Sequence, residues 1–386
     1  MAATGALVKG RRKTLHRALG CLVLRTFRRR RVKSGSRKLY IPLTQKQWRD
    51  AFDPLSGRLI SSDKLIKRIR FGGVELNIRG EVWLFLLNFY NFESTLAERQ
   101  AQKESKRAEY NDLKRRCSFL RHEMGNRDME EDHSIDSFSK GNLLSPAKEE
   151  FTTWQRIIRL DAVRMNPEWV PYSPAKGSIT KGMAKQLASD VSLKEDEHLE
   201  PCIQHHAARL VAILEAYALY DPESGYCQGM GDLLSPFVAL LDEDYQAFWC
   251  FAHFMATARD NFRVDETGIR RQLQLVSQIL RVCDPQLYKH LEKIEAANCF
   301  FAYRMVVVLM RRELTFEQTI SFWEILWADK TAARAVRRLR KIIMESCMCM
   351  DDVLKVCNSM AGQLDVQALL TEGRELLSAV DCKLEI

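Results

Sequence analysis

Between Met230 and Leu241 the apolar residues fall at Met230, Leu233, Leu234, Phe237, Val238 and Leu241, the three-and-four spacing of a single helical face. The same spacing recurs at Val82, Phe85, Leu86 and Phe89, and again at Leu210, Ile213, Leu214 and Tyr217. Trp154, Ile157 and Ile158 open another such face. No run alternates with a period of two for long enough to make a half-buried strand. The pattern therefore predicts an all-α fold. Helices are expected on either side of Gly72 and Gly73, then from about Thr152 to Met165, over 203–220 and from Met230 onward. Further ones are expected at 245–258, 268–282, 285–296, 299–312 and 316–327. The helices share no strict heptad and no repeat of 20–50 residues, which argues against a long coiled coil or a solenoid.

Local signals set the ends of these segments. Ser62 or Asp63 can cap the first, and the glycine pair stops it. Thr152 or Thr153 can cap a helix that turns Trp154, Ile157 and Ile158 inward. Pro167 holds Asn166 extended, so that helix stops near Met165 and leaves Arg164 in its last turn. The stretch GYCQGMGDLL, 225–234, puts Tyr226 and Gln228 at a helix entrance, and Pro236 is expected to kink that helix. Residues 95–150 are polar, with a charged helical stretch through Tyr110 and Phe119 and then a polar insertion at about 121–150.

Charge is unevenly spread. The chain carries +9 formally over 386 residues, yet residues 1–49 hold 15 Lys and Arg and no acid before Asp50. The rest is mildly acidic. A basic arm of this kind, with Leu15, Ala18, Leu19 and Leu22 at helical spacing among arginines, suits an anionic membrane surface or an acid-poor transit peptide. A solvated tail would have the same composition, and the body holds no nucleic-acid motif. The longest apolar run, FFAYRMVVVLM, is too short to span a bilayer, so a cytoplasmic chain, peripheral on endomembranes, is expected. Eleven cysteines stand without a Cys-x-x-Cys pair, which points to a reducing compartment and to neither zinc nor disulfides.

No nucleophile elbow, phosphate-binding glycine loop or metalloprotease motif is present. His205 and His206 lack partners at metal-ligand spacing and are expected as surface or capping residues. What remains are polar residues at helix ends: Asp161 and Arg164, three apart, and Tyr226 and Gln228, two apart. Alone, the first pair is an ordinary surface ion pair and the second an ordinary turn.

Together they resemble the TBC domain of Rab GTPase-activating proteins. RGEVWLFLL is similar to that family's opening Arg-x-x-x-Trp motif (Arg79, Trp83), and IIRLDAVR to its Ile-x-x-Asp-x-x-Arg motif (Ile158, Asp161, Arg164). GYCQGMGDL is similar to its Tyr-x-Gln motif (Tyr226, Gln228), and all three stand in the family's order. The likeness runs on through FFAYRMVVVLMRRELTF and SFWEILWA, over roughly residues 70–328, and CNSMAGQLDV resembles the end of plant members. The resemblance implies a single large multi-helix domain over 50–386 behind the basic arm at 1–49. It implies an activator that works on the GTP-bound state of a Rab-family small GTPase rather than a hydrolase itself. The partner would hold the Mg-GTP, and this chain would bring no cofactor or metal of its own.

The implied roles suit the residue types, because GTP hydrolysis needs charge stabilised on the transferring phosphoryl group and a water held in line. Arg164, always charged and planar, would serve as the arginine finger. Gln228 would serve as the glutamine finger that orients water. Asp161 would orient Arg164 or the neighbouring loop rather than act as a general base, Tyr226 would support the glutamine turn, and Arg79 and Trp83 would tie down the first helix. A non-catalytic Rab-binding or membrane-recruiting adaptor is the alternative. The sequence departs from the family after ILWADK, where TAARAVRRLRK stands in place of a further apolar helix, so a shortened helical part is expected at 329–386.

Overall fold

The computed structural model describes residues 41–60, 62–130, 146–173, 177–193, 199–263 and 265–328. Among them the regular elements are helices, accompanied by two isolated bridges, Leu43 with Val74 and Phe52 with Leu59. In chain order the α-helices are α1 (Gln45–Arg49), α2 (Ser62–Gly72), α3 (Arg79–Leu86), α4 (Leu96–Glu130), α5 (Pro146–Val163), α6 (Lys181–Asp190) and α7 (Pro201–Tyr220). They continue as α8 (Met230–Leu240), α9 (Asp244–Ala258), α10 (Thr267–Cys283), α11 (Pro285–Lys293), α12 (Tyr303–Val307) and α13 (Phe316–Ala328). Among the described residues, no helix is long and apolar enough to cross a membrane.

The chain divides into two compact units. Among the described residues, one draws on the chain up to Glu93 and from His253 onward, and the other lies within Ser94–Ala252. In the first, Leu43, Trp48, Leu65, Ile69, Val82, Phe85 and Ala328 lie in one apolar cluster. Leu43 is pinned by backbone bonds to Gly73 (3.0 Å) and from Glu75 (3.1 Å). The packed body thus begins ahead of position 50, the limit set for the basic arm. Residues 1–40 lie outside the described residues, as does the expected shortened part at 329–386. Gly72 ends α2 against the chain: a Cβ there would stand 2.4 Å from the Ile41 carbonyl oxygen.

Helices α3 and α13 join through a polar knot. Glu324 is fully buried, pairs with Arg79 Nε at 2.8 Å and accepts from Trp83 Nε1 at 2.9 Å. Trp83 also meets Trp327 edge-on, at 4.9 Å between ring centres.

The helix expected over 299–312 is broken. A 3₁₀ turn, Phe300–Ala302, leads into the short α12, and Leu309 and Met310 then take left-handed φ values of 49° and 64°. The Met310 N–H donates to the Met305 carbonyl (2.8 Å) and that of Leu309 to Val306 (3.4 Å), the two bonds of a Schellman ending. No glycine announces it; Trp323, donating to the Leu309 carbonyl at 3.0 Å, helps fix the reversed backbone.

In the second unit α7 is buried on every side from His206 to Ala218 and packs against α4, α5, α6 and α8. A helix apolar all round belongs at a centre, and the polar residues it carries must find partners there. Glu215 is wholly buried between Arg121 of α4 and Arg159 of α5; burial raises its pKa and the two arginines oppose that rise. Arg209 donates to the carbonyls of Val238 (2.9 Å), Leu241 (2.7 Å) and Asp242 (3.0 Å), and to Asp244 (2.6 Å). It thereby satisfies the open end of α8.

His206, expected at the surface, is instead buried, stacked on Trp169 at 3.7 Å and 12° and bonded to Ser235 at 3.1 Å. The reason is that α7 has no solvent face there. Helix α4 runs on to Glu130 and α5 starts at Pro146, so only 131–145 of the stretch read as an insertion lies outside the described residues.

Candidate functional site

The site grows from the C-terminal end of α5. Phe151, Gln155, Ile158 and Ala162 form its buried face, at i, i+4, i+7 and i+11. Trp154 and Ile157 are only half-buried, at the flanks of that face rather than within it. Thr153 is not a cap. It lies inside the helix and its hydroxyl donates back to the Glu149 carbonyl at 3.1 Å, because α5 already begins at Pro146. The helix stops at Val163, two residues short of the expected end, so Arg164 follows it instead of sitting in its last turn. Asn166, ahead of Pro167, is extended as expected (φ −61°, ψ 127°), and its side chain accepts from the Glu168 N–H to start a 3₁₀ turn over Pro167–Tyr172.

Arg164 directly follows α5, and its side chain is 67 % exposed. Its Nε donates to the Leu160 carbonyl at 2.9 Å and its Nη2 to Asp161 Oδ1 at 3.0 Å. The other Asp161 oxygen, Oδ2, accepts from the Tyr226 hydroxyl at 2.9 Å. One carboxylate therefore joins the two motifs. Tyr226 is buried, and burial first, then the Asp161 charge, pushes its pKa upward, so it stays a neutral donor.

The glutamine turn is built with equal economy. Asp221 follows α7 and takes the hydroxyls of Tyr217 (3.1 Å) and Ser224 (3.0 Å), while its carbonyl accepts the Gly225 N–H (2.9 Å). Gly225 is left-handed (φ 52°) and buried, and a Cβ on it would lie 2.3 Å from Trp154 Cζ2. Gly229, at φ 103°, is the N-cap of α8. Gln228, just ahead of it, is exposed.

Arg164, Asp161, Tyr226 and Gln228 are all in the second unit, and Asp161 brings the first three together. Arg79 and Trp83 are in the first unit, where they hold Glu324. Sequence reasoning missed Trp154 as the neighbour of Gly225, Glu324 as the partner of Arg79 and Trp83, and the buried trio of Glu215, Arg121 and Arg159. Among the described residues no group of three or more His, Cys, Asp or Glu could hold a metal ion. The site thus presents an exposed guanidinium and an exposed carboxamide on buried supports, a pair able to donate to anionic oxygens and to hold a water.

These features define an all-helical domain with an arginine and a glutamine exposed at helix ends, and comparison with known proteins places it in a family. The model of the Rab-GTPase-TBC domain family matches residues 151–350. The chain is 40% identical to Rab GTPase-activating protein 22 of Arabidopsis thaliana, over 93% of this chain and 84% of that protein. That alignment runs over 462 positions, more than the 386 residues here, so the Arabidopsis protein carries aligned segments with no counterpart in this chain. The GTPase-activating protein GYP7 of Yarrowia lipolytica is 31% identical over 86% of this chain, which spans 43% of that relative's length. The crystal structure of the Ypt/Rab-GAP domain of Gyp1p superposes with a TM-score of 0.60 at 18% identity, covering 87% of this chain and 98% of that one, which shows a shared fold. The chain belongs to the Rab-GTPase-TBC domain family.

Proposed function

We propose that this chain accelerates GTP hydrolysis by a Rab-family small GTPase, supplying Arg164 as an arginine finger and Gln228 as a glutamine finger. The observation that carries this reading is the shared carboxylate: Asp161 orients the exposed Arg164 through one oxygen and holds Tyr226 of the glutamine turn through the other. In the reaction, Arg164 donates to the oxygens that gain charge as the γ-phosphoryl leaves, and Gln228 orients the attacking water. The GTPase brings the nucleotide and its Mg²⁺. The Arabidopsis and Yarrowia relatives, named as GTPase activators, support the same reading.

The test is phosphate release from a panel of GTP-loaded Rab proteins with wild type, Arg164→Ala and Gln228→Ala. Wild type is expected to accelerate at least one of them, Arg164→Ala to lose about 10³-fold or more, and Gln228→Ala roughly tenfold or more. Acceleration of none, or full activity in Arg164→Ala, overturns the proposal. Binding without acceleration would leave the non-catalytic adaptor.

A further inference from the structure

Trp154, Asp161 and Met165 are spaced by seven and four residues, which places them along one line of α5 and its immediate continuation. Each meets a different point of the segment that carries Gln228. The Trp154 indole lies where a side chain of Gly225 would be, with Cζ2, Cε2 and Nε1 at 2.3, 2.4 and 2.8 Å from the Cβ position. Asp161 takes the Tyr226 hydroxyl at 2.9 Å. Met165 Cε would stand 2.8 Å from a Cβ on Gly231. Gln228, exposed, sits between the second and third of these contacts, flanked by residues that meet α5 on one side and Met165, just beyond α5, on the other.

Core packing does not account for the tryptophan. Phe151, Gln155, Ile158 and Ala162 already fill the buried face, and Trp154 is only half-buried beside them. The indole stands against Gly225, whose left-handed φ of 52° and lack of a side chain together allow the approach. A flat, rigid indole against a bare backbone fixes a separation more sharply than a flexible aliphatic chain would.

We infer that Trp154 is a positioning residue for Gln228: its indole sets where the chain leaving α7 turns, and so where the Gln228 carboxamide stands relative to Arg164, which the same helix presents. The inference rests on the proposed activator function. It adds that the two fingers are registered by one helix, and that Trp154 acts through Gln228 and not through Arg164.

The experiment places Trp154→Ala and the milder Trp154→Phe in three backgrounds: wild type, Gln228→Ala and Arg164→Ala. Single-turnover phosphate release gives the maximal rate and the half-saturating concentration. Hydrogen exchange of the 225–231 amides is followed in parallel. Trp154→Ala is expected to lower the maximal rate about tenfold, within reach of a misplaced catalytic group, and to leave half-saturation within about twofold. Trp154→Phe should recover most of the rate. In the Gln228→Ala background the loss should shrink to less than about twofold, and in Arg164→Ala it should persist. Exchange should quicken at 225–231 and stay unchanged in α7. The same tenfold loss without Gln228, or a higher half-saturating concentration at unchanged rate, would overturn the inference. So would unchanged exchange in Trp154→Ala, and that readout holds even if wild type activates no Rab, the outcome that would sink the functional reading itself.

Discussion

Tyr226 and Arg164 meet through Asp161, each bonded to one of its two oxygens, at 2.9 and 3.0 Å. The hydroxyl of Tyr226 is buried, and burial with the neighbouring Asp161 pushes its pKa upward, so it stays protonated and donates to Asp161. A hydrogen bond to a charged group contributes about 1.5–3 kcal/mol. Tyr226→Phe is therefore expected to lower Rab-stimulated phosphate release by about tenfold or more, with helical content unchanged by circular dichroism. A rate equal to wild type would show that the bridge does not bear on the reaction.

Arg209 closes the end of α8 with three carbonyl contacts and an ion pair, all from the guanidinium of one buried side chain. Arg209→Met should cost about 3 kcal/mol, because it strips those carbonyls of their donor and leaves Asp244 uncompensated. The midpoint of urea unfolding measures it. The exposed pair Arg270 with Glu266, 2.7 Å apart, is the control: Arg270→Met should cost less than about 0.5 kcal/mol.

Burial pushes the Glu324 carboxyl from its ordinary 4.5 up to about 7, against the pull of Arg79 and the Trp83 hydrogen bond. Its folded pKa is then above the unfolded one, so the fold holds the proton more tightly. The stability tied to that proton is complete below about pH 4.5 and is lost as pH rises through about 7. Glu324→Gln imitates the protonated side chain at every pH. The melting temperature of wild type relative to this variant should fall between pH 5 and pH 8; a constant difference would mean that Glu324 does not titrate there.

The opposite sign holds at His206. Its burial, with Arg209 nearby, drives its pKa well below 6.5, so the unfolded chain takes the proton first. Stability is complete above about pH 6.5 and is lost as pH falls below it. His206→Gln should remove this acid loss, seen as a flatter melting temperature from pH 6.5 to 5. Since Glu324 acts the other way over part of that range, only the difference between each variant and wild type isolates one group.

The all-α class was legible because the three-and-four spacing runs through α3, α7 and α8, and the order of the motifs singled out Asp161, Arg164 and Tyr226, which the structure joins through the Asp161 carboxylate. What escaped has a common physical cause. Arg79 and Trp83 read as ties for the first helix, but the partner they tie it to, Glu324, stands 241 positions beyond Trp83 and could not be named from the motif. Gly225 is explained by an atom it lacks, and only the Trp154 ring on another helix reveals why. The reversal at Leu309 carries no glycine and depends on Trp323 for part of its support. His206 misled because a face-by-face reading assumes an outer face, which α7 does not have along its middle.

The tether between Arg164 and Asp161 joins a side chain 67 % exposed to one mostly buried, and with its cation in solvent it contributes about 1 kcal/mol or less. An untethered arginine roams over many rotamers and gives up about 2 kcal/mol of entropy when it is fixed. A weak hold thins that crowd of conformers before any partner arrives, and it lets go without a struggle when stronger anions approach. In the proposed reaction the finger is thus parked rather than locked. Tightening its grip on Asp161, by sealing that pair from water, would be expected to slow the very step it serves.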